Sequence, residues 1–483
     1  MANCLMIQAT GSNVGKSFIC ACLCRIAKEI GISVAPFKAQ NMCTATVLAD
    51  TDIGEISMAQ WNQAIACGKP SFSKMNSLLV KPLDNNTSQL YIDGELVRNK
   101  NVYPSNRKFK TRLRAQVLLS LDSLLKQNDL VIIEGAGASA EANLRSYDLS
   151  NMWLANAVSC NIVLISDLER GGALASIAGT RCLLSKHDAC LIKGFILNKF
   201  VGKLALLRPG LNSLEQTTLW PCYGVIPWIP AALSLPREDT LCEHFVGSFE
   251  GAIGIIVDIP FGNGISELNA LSLEPNVKIL LLKSPPVWGV KRRVKFIIIP
   301  DADSPISTLN FIYSSGWKNY LYKAHNSGIL IIGIGTSLQI LASSFAIGPS
   351  IYHPGLKILN VNVLCFKILP HKKRCISRLL SADIIVNVSL HILYFESRCN
   401  SSDRVEALIE DTTVWYGVHN ANVWGLAVNN PFLDDNFRSA FLQFVGLRPS
   451  RINYKNYVEK AITKATCEVA TNISPNLFAL LGC

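Results

Sequence analysis

One stretch near the start constrains this chain more than any other. Leu5-Met6-Ile7 is a short apolar run. Ala9-Thr10-Gly11-Ser12-Asn13-Val14-Gly15-Lys16-Ser17 follows, and an amphipathic segment then carries Ile19, Cys22, Leu23, Ile26 and Ile30 on one face. That order reads as strand, glycine-bearing loop and helix. A helix opening at such a loop aims unpaired backbone N–H groups and the positive end of its dipole at one point. Lys16 adds a point charge there, and Ser17 offers a hydroxyl suited to Mg²⁺. Thr10 to Ser17 is therefore a candidate grip on the phosphates of a nucleoside triphosphate such as ATP. Ala9 stands where a first glycine is expected, and counted from it the loop is one residue longer than the G-x-x-x-x-G-K-[ST] spacing. A Gly-Lys-Ser turn without a ligand is the alternative.

The remainder of the chain is compatible with a large enzyme. Its 483 residues suffice for two or three domains, and 49% hydrophobic with 17% charged residues makes a large core easy to bury. No apolar run is long and charge-free enough to span a bilayer, and the start lacks the pattern of a signal peptide. A cytoplasmic protein with no membrane partner is expected. The 16 cysteines form no CxxC pair and no zinc-finger spacing, so reduced, mostly buried thiols are expected. The net charge of +11 is dispersed apart from Lys291-Arg292-Arg293 and His371-Lys372-Lys373-Arg374. No basic stripe interleaves with aromatics, so no nucleic-acid partner is expected, whereas a polycarboxylate substrate would suit the positive surface.

Short apolar runs at Ile32–Phe37, Leu130–Ile133, Ile162–Ser166, Ile192–Leu197, Ile253–Ile259, Phe296–Ile299 and Gly328–Ile332 alternate with helical patterns. Alternation of this kind predicts doubly wound parallel sheets with active groups at the strands' carboxyl ends. Pro227, Pro230 and Pro236 mark a boundary. The expected division is 1–235, a phosphate-binding domain; 250–445, a second α/β domain; and 446–483, an extension without visible chemistry.

Candidate chemistry clusters in the first half. Lys38 follows an apolar run, on the edge expected to carry the phosphate loop. It suits neutralisation of phosphate charge during transfer, and a solvated surface lysine would look the same. Asp52 and Glu55 are candidate Mg²⁺ ligands or a solvated helix start. Val131-Ile132-Ile133-Glu134-Gly135-Ala136-Gly137 is an apolar strand ending in a carboxylate and glycines. Glu134 is thereby a candidate metal ligand beside Ser17. Asn198-Lys199 ends another apolar run, where P-loop proteins often read a purine base; a plain polar turn is the alternative.

These segments, taken together, resemble the cobyric acid synthase family. Ala35–Met42 with Gln40-Asn41-Met42, Met75-Asn76, Lys81-Pro82, Glu134–Met152 with Asn143-Leu144-Arg145, Asp167–Gly172 and Lys193–Phe200 stand in that family's order, over most of residues 1–230. The resemblance implies a dethiobiotin-synthetase-like P-loop domain followed by a class I glutamine amidotransferase-like domain. It implies ATP-dependent amidation, through acyl phosphates, of the b, d, e and g carboxylates of a corrin substrate, adenosylcobyrinic acid a,c-diamide. Lys16, Ser17, Lys38 and Glu134 would carry the phosphoryl step. Gln40, Asn41, Asn143, Arg145, Tyr147 and Asp148 would face the substrate.

The family's second half is a glutaminase with a cysteine on a strand-to-helix elbow and a histidine as its base. Here Gly333-Ile334-Gly335-Thr336-Ser337-Leu338-Gln339 fits the elbow, and the nucleophile position is Gly335. The histidine position is Asn429. In a comparable triad, loss of the nucleophile costs about 10⁶ in rate. An active synthetase fed by free ammonia or a partner's glutaminase is the first expectation. A nucleotide- or corrin-binding remnant and a partitioning-type ATPase switch are the alternatives.

Overall fold

The computed structural model describes residues 3–481 apart from 53, 84–86, 100–106, 237, 239–250, 289–292, 303, 347–351, 378, 381, 396–405 and 411–414. Lys291 and Arg292 of the basic group noted above thus lie outside the described residues.

Among the described residues, nine strands form the first sheet. Their order is Cys222–Pro227, Ile192–Phe200, Asn161–Asp167, Asn3–Ala9, Leu130–Glu134, Val34–Met42, Asn76–Pro82, Ser88–Ile92 and Glu95–Asn99. The strands pair parallel as far as Asn76–Pro82, and the last two add antiparallel. Leu130–Glu134 is buried at every position. A run buried on both faces needs helices on both. Leu5 and Ile7 accordingly share a core with the helix Lys16–Glu29, while Met6 and Ile133 pack with Val117 and Leu121 of the helix Arg107–Leu125.

The strand Asn3–Ala9 lies between Leu130–Glu134 and Asn161–Asp167. The chain leaves it toward Val34–Met42 on one side and later crosses to the other. This is the switch point at which open α/β sheets leave a crevice at the strands' carboxyl ends. Register then sets the chemistry. Phe37 lies opposite Ile133, so Lys38 lands beside Glu134. The second strand ends later than the expected Phe37, because Lys38 and Gln40 to Met42 pair with Asn76 to Val80. Lys38 is part of the strand.

A second, mixed sheet holds Val277–Leu282, Ala252–Val257, Val294–Ile299, Leu330–Ile334 and Val423–Leu426 in parallel. Antiparallel strands extend it, among them a long ribbon of Leu359–Ser377 and Ala382–Phe395 that the apolar pattern did not reveal. Its alternation is broken by the polar residues from His371 to Arg374.

The stretch after Phe444 returns to the first half. The helix Tyr454–Ala470 shares a core with Ile19, Leu23 and Ile26, and Glu459 pairs with Arg25 at 3.4 Å. The two halves also meet at the hairpin of Thr46–Leu48 and Glu55–Ser57, where Val47 and Ile56 pack on Ile265. Asn430 Nδ2 donates to the Thr46 carbonyl at 2.7 Å. Cys20, Cys22 and Cys24 are buried hydrophobes, and burial pushes the Cys22 thiol up to about 12. Among the described residues, no helix is long and apolar enough to cross a membrane.

Candidate functional site

A cleft of about 870 Å³ opens at the carboxyl ends of the central strands. Its floor is the phosphate loop. Ala9 ends the first strand, fully buried, and its carbonyl accepts from Ser139 N at 2.8 Å and Ser139 Oγ at 3.0 Å. It is not a loop residue. The loop begins at Thr10, and from there to Gly15 the spacing is the ordinary one, which corrects the extra residue expected above.

The loop's shape has identifiable causes. Asn13 and Gly15 adopt left-handed backbone, φ 59° and 97°. A Cβ on Gly15 would overlap the Asn198 amide, so only glycine fits there. Asn198 Nδ2 donates to the Val14 carbonyl at 2.9 Å, and Lys199 Nζ donates to the Asn13 carbonyl at 3.0 Å and pairs with Asp167 at 2.9 Å. These two residues brace the loop from the strand end at which the sequence placed a purine site. Thr10 hydrogen-bonds Ser166 at 2.8 Å, and Val14 turns into the core. Ser12, Asn13, Gly15, Lys16 and Ser17 line the cleft.

The electrostatics suit an anion beside Lys16. Lys16 and Lys38 are only 8% and 5% exposed. Lys16 Nζ folds back onto the carbonyls of Gly11 at 3.2 Å and Gly137 at 2.9 Å. Burial pulls its affinity for the proton down; Glu134 partly restores it and Lys38 opposes it. Glu134 is buried, and its Oε1 accepts from Ser17 Oγ at 2.7 Å and Lys38 Nζ at 2.8 Å. Burial alone would raise its pKa, but the Lys38 charge and the hydrogen bonds from Lys38, Ser17 and Gln63 leave it below the usual carboxylate value. Lys38 is answered by Glu134, whereas the Lys16 charge is only partly answered, and a phosphate would balance it. The Ser17 hydroxyl and the Glu134 carboxylate are hard oxygen donors side by side. They fit a Mg²⁺ that takes one or two protein oxygens and completes its shell with phosphate and water.

Other expected residues fall elsewhere. The Asp52 carboxylate accepts from Ser73 N at 2.9 Å and Ser73 Oγ at 2.7 Å, which ties a loop together. Glu55 is buried against Lys81 and Thr46. Neither lines the cleft, so neither stands beside Ser17 and Glu134 in the metal set. Asn143 is exposed on the turn Ala142–Tyr147 and does not line the cleft either. Gln40, Asn41, Arg145, Tyr147 and Asp148 do line it. Asp148 is taken up as a cap: its oxygens accept from Ser150 N, Asn151 N and Trp153 N at 2.8 to 2.9 Å. Arg145 ties this turn to Asp188 at 2.8 Å.

Two residues escaped sequence reasoning. Gln63, on the helix Met58–Cys67, donates through Nε2 to Glu134 Oε2 at 2.5 Å and to the Ser17 carbonyl at 3.4 Å. A glutamine on an amphipathic helix carries no signal of such a role. Glu238 lies just past the proline-marked boundary and reaches back into the cleft, where it accepts from Ala59 N at 2.9 Å and Asn41 Nδ2 at 3.2 Å.

The elbow of the second half keeps its backbone and has no reactive side chain at its tip. Gly335 follows the strand Leu330–Ile334 with φ 57°, and its N–H donates to the Leu426 carbonyl at 2.7 Å. A Cβ there would overlap the Asp301 carboxylate. Asp301 Oδ1 accepts from Thr336 N at 2.8 Å and Thr336 Oγ1 at 3.1 Å. Asn429 pairs in a short strand with Asn387, and among the described residues its buried Oδ1 has no partner.

A cradle of this kind on a doubly wound sheet defines a P-loop nucleotide-binding protein. The chain matches the family described as the CobQ/CobB/MinD/ParA nucleotide binding domain over residues 5–241. Curated relatives are similar along the whole length. A cobyric acid synthase of Rhizobium leguminosarum bv. trifolii is 34% identical over 491 residues, covering 100% of both chains. One from Brucella anthropi is 32% identical, covering 96% of each. The chain belongs to the cobyric acid synthase family.

Proposed function

We propose that this chain is an ATP-dependent ligase of cobalamin biosynthesis that amidates the b, d, e and g carboxylates of adenosylcobyrinic acid a,c-diamide. It works through acyl phosphates and uses ammonia that its own second half does not release. The observation that carries the reading is the hydrogen-bonded set of Ser17, Lys38 and Glu134 with Lys16 beside it at one end of an open cleft, in a chain alike over its full length to synthases of that name.

The roles follow from charge. Lys16 and the loop's N–H groups hold the β- and γ-phosphates. Lys38, at the end of the cleft shared with Asn41, neutralises charge on the phosphoryl group as it passes to the substrate carboxylate; clamping of this kind is most of what phosphoryl transfer requires. Mg²⁺ bound at Ser17 and Glu134 would supply further charge neutralisation at the phosphates. Gln63 keeps Glu134 oriented. Gln40, Asn41, Arg145 and Tyr147 form the wall suited to the corrin.

Absence of glutaminase activity is supported by Gly335 at the nucleophile position, by the Asp301 carboxylate across it and by Asn429 at the histidine position. The deciding experiment compares donors. Purified protein with ATP, Mg²⁺ and the corrin diamide should form amide with ammonium and none with glutamine. No amide even at high ammonium sinks the reading, and saturable ATP or corrin binding without product would mark a binding module.

A further inference from the structure

We propose that Glu238 is the ammonium seat of the synthetase and the group through which ammonium sheds its proton; this rests on the amidation proposed above. A synthetase without its own glutaminase meets nitrogen as the ammonium cation, which has no lone pair to attack with. The cleft needs an anion that binds a small cation and accepts a proton from it. Its acidic side chains differ in how free they are. Both oxygens of Glu134 are occupied by Ser17, Lys38 and Gln63. Asp148 caps a turn with both of its oxygens. Glu169 is drawn to Lys199 at 3.5 Å. Glu141 lies at the phosphate end, beside the Ala138 N–H and in the field of Lys16.

Glu238 is placed otherwise. Its Oε1 is pinned by the Ala59 N–H and Asn41 Nδ2, and among the described residues its Oε2 makes no hydrogen bond. Two residues before it, the Pro236 carbonyl accepts from Asn62 Nδ2 at 3.1 Å. Asn41 belongs to the strand that carries Lys38, and Lys38 feels the Glu238 charge. That oxygen is thus held in the same cleft as the phosphoryl-transfer set. An anchored carboxylate with one unused oxygen is suited to an ammonium ion.

The chemistry balances. Acyl phosphate RCO–OPO₃²⁻ and NH₄⁺ give RCONH₂, HPO₄²⁻ and H⁺. Ammonium gives one proton to Glu238 Oε2, which passes it to solvent. The nitrogen lone pair then forms the C–N bond, and the C–O bond breaks with its electron pair leaving on phosphate. The second nitrogen proton ends on that phosphate.

The test uses the full chain and Glu238→Gln, which keeps an oxygen for Ala59 N and Asn41 but removes the charge. Steady-state amidation is measured against ammonium and against hydroxylamine, a nucleophile that is neutral near pH 7.5. Glu238→Gln should raise the KM for ammonium roughly ten- to a hundredfold, as loss of one charge-assisted hydrogen bond predicts, with the KM for ATP unchanged. Hydroxamate formation from hydroxylamine should stay within about threefold of the parent, because no prior deprotonation is needed. Equal loss with both nucleophiles would mean a merely structural peg and overturn the proposal, as would an unchanged KM for ammonium. Parent protein that forms product with neither nucleophile would overturn the amidation reading itself.

Discussion

The two halves use one local device to opposite ends. In each, a buried parallel strand runs into a glycine of left-handed backbone, Gly15 at φ 97° and Gly335 at φ 57°, and a helix follows. At the first turn the helix faces an open cleft with two buried lysines and one buried carboxylate, Glu134. At the second, the chain supplies its own anion: Asp301 lies across the tip of the elbow and accepts from the Thr336 N–H. A helix N-terminus attracts negative charge wherever it stands. What separates a binding site from a closed turn is whether an internal carboxylate has already answered it.

The largest expected effect breaks the open turn. Lys16→Ala should lower ATP-dependent amidation by about 10³-fold or more, since it removes a charge that acts on the phosphates during transfer. Thr336→Ala in the second half should leave amidation within about twofold, as a surface-type loss away from the chemistry. If both changes lowered turnover alike, the two turns would not differ in function. Amide yield against ammonium is the measurement.

The next effect is on stability. Lys38→Ala strands the Glu134 charge in the core, and removing one partner of a buried pair costs about 3–5 kcal/mol. Urea unfolding should show it, and Lys38→Met with Glu134→Gln should recover much of the loss. No such penalty is expected for Asp301→Asn, because that carboxylate is only half-buried and the amide oxygen can still accept from Thr336.

Much of the first half was legible because its signals are contiguous. An apolar strand ending in Glu134 and a loop ending in Gly15-Lys16-Ser17 need only local physics to be read. The pairing of Lys38 with Glu134 was not legible, since it depends on the register of two strands about a hundred residues apart. Asp52 and Glu55 failed for a related reason. A carboxylate near a helix start looks the same in sequence whether it faces a metal, the Ser73 hydroxyl or the Lys81 ammonium. Gln63 and Glu238 were missed because their roles exist only after the helix Met58–Cys67 packs beside the cleft. In the second half, Gly335 and Asn429 could be read as absences, but the carboxylate that fills the elbow comes from another strand's end.

That carboxylate sharpens the comparison further. Gly335→Cys alone should bring no glutaminase activity, because the new side chain would meet Asp301 and must adopt left-handed backbone. A destabilisation of about 1–3 kcal/mol is expected from overpacking and strain. Gly335→Cys with Asp301→Ser should regain most of that stability while still hydrolysing no glutamine, since Asn429 cannot take the thiol's proton. Glutamate release measured for the double variant tests this; turnover above background would mean another base serves the elbow.

At any one pH step the effect is smaller for a second pair of unlike groups, the buried carboxyls Glu134 and Glu267. Glu134 has Lys38 and is held ionised. Glu267, on the helix Gly264–Leu271, is equally buried, with Oε2 lacking a partner. Burial pushes it up to about 8; the Phe432 N–H opposes this and Asp301 adds to it. The sign follows from linkage. Below about pH 4.5 Glu267 is protonated folded or unfolded. Between about 4.5 and 8 the folded state keeps a proton that the unfolded state has lost, so stability falls as pH rises, by at most about 1.4 kcal/mol per pH unit for this one group. Glu134, with its value depressed, slopes the other way below pH 4.5: its contribution is lost as acid protonates it. Glu267→Gln should therefore flatten the fall between pH 5 and 8 and leave the acid limb intact, while Glu134→Gln should do the reverse. Urea midpoints from about pH 3 to 8 for the two variants separate the carboxyl held ionised by Lys38 from the one kept neutral by burial.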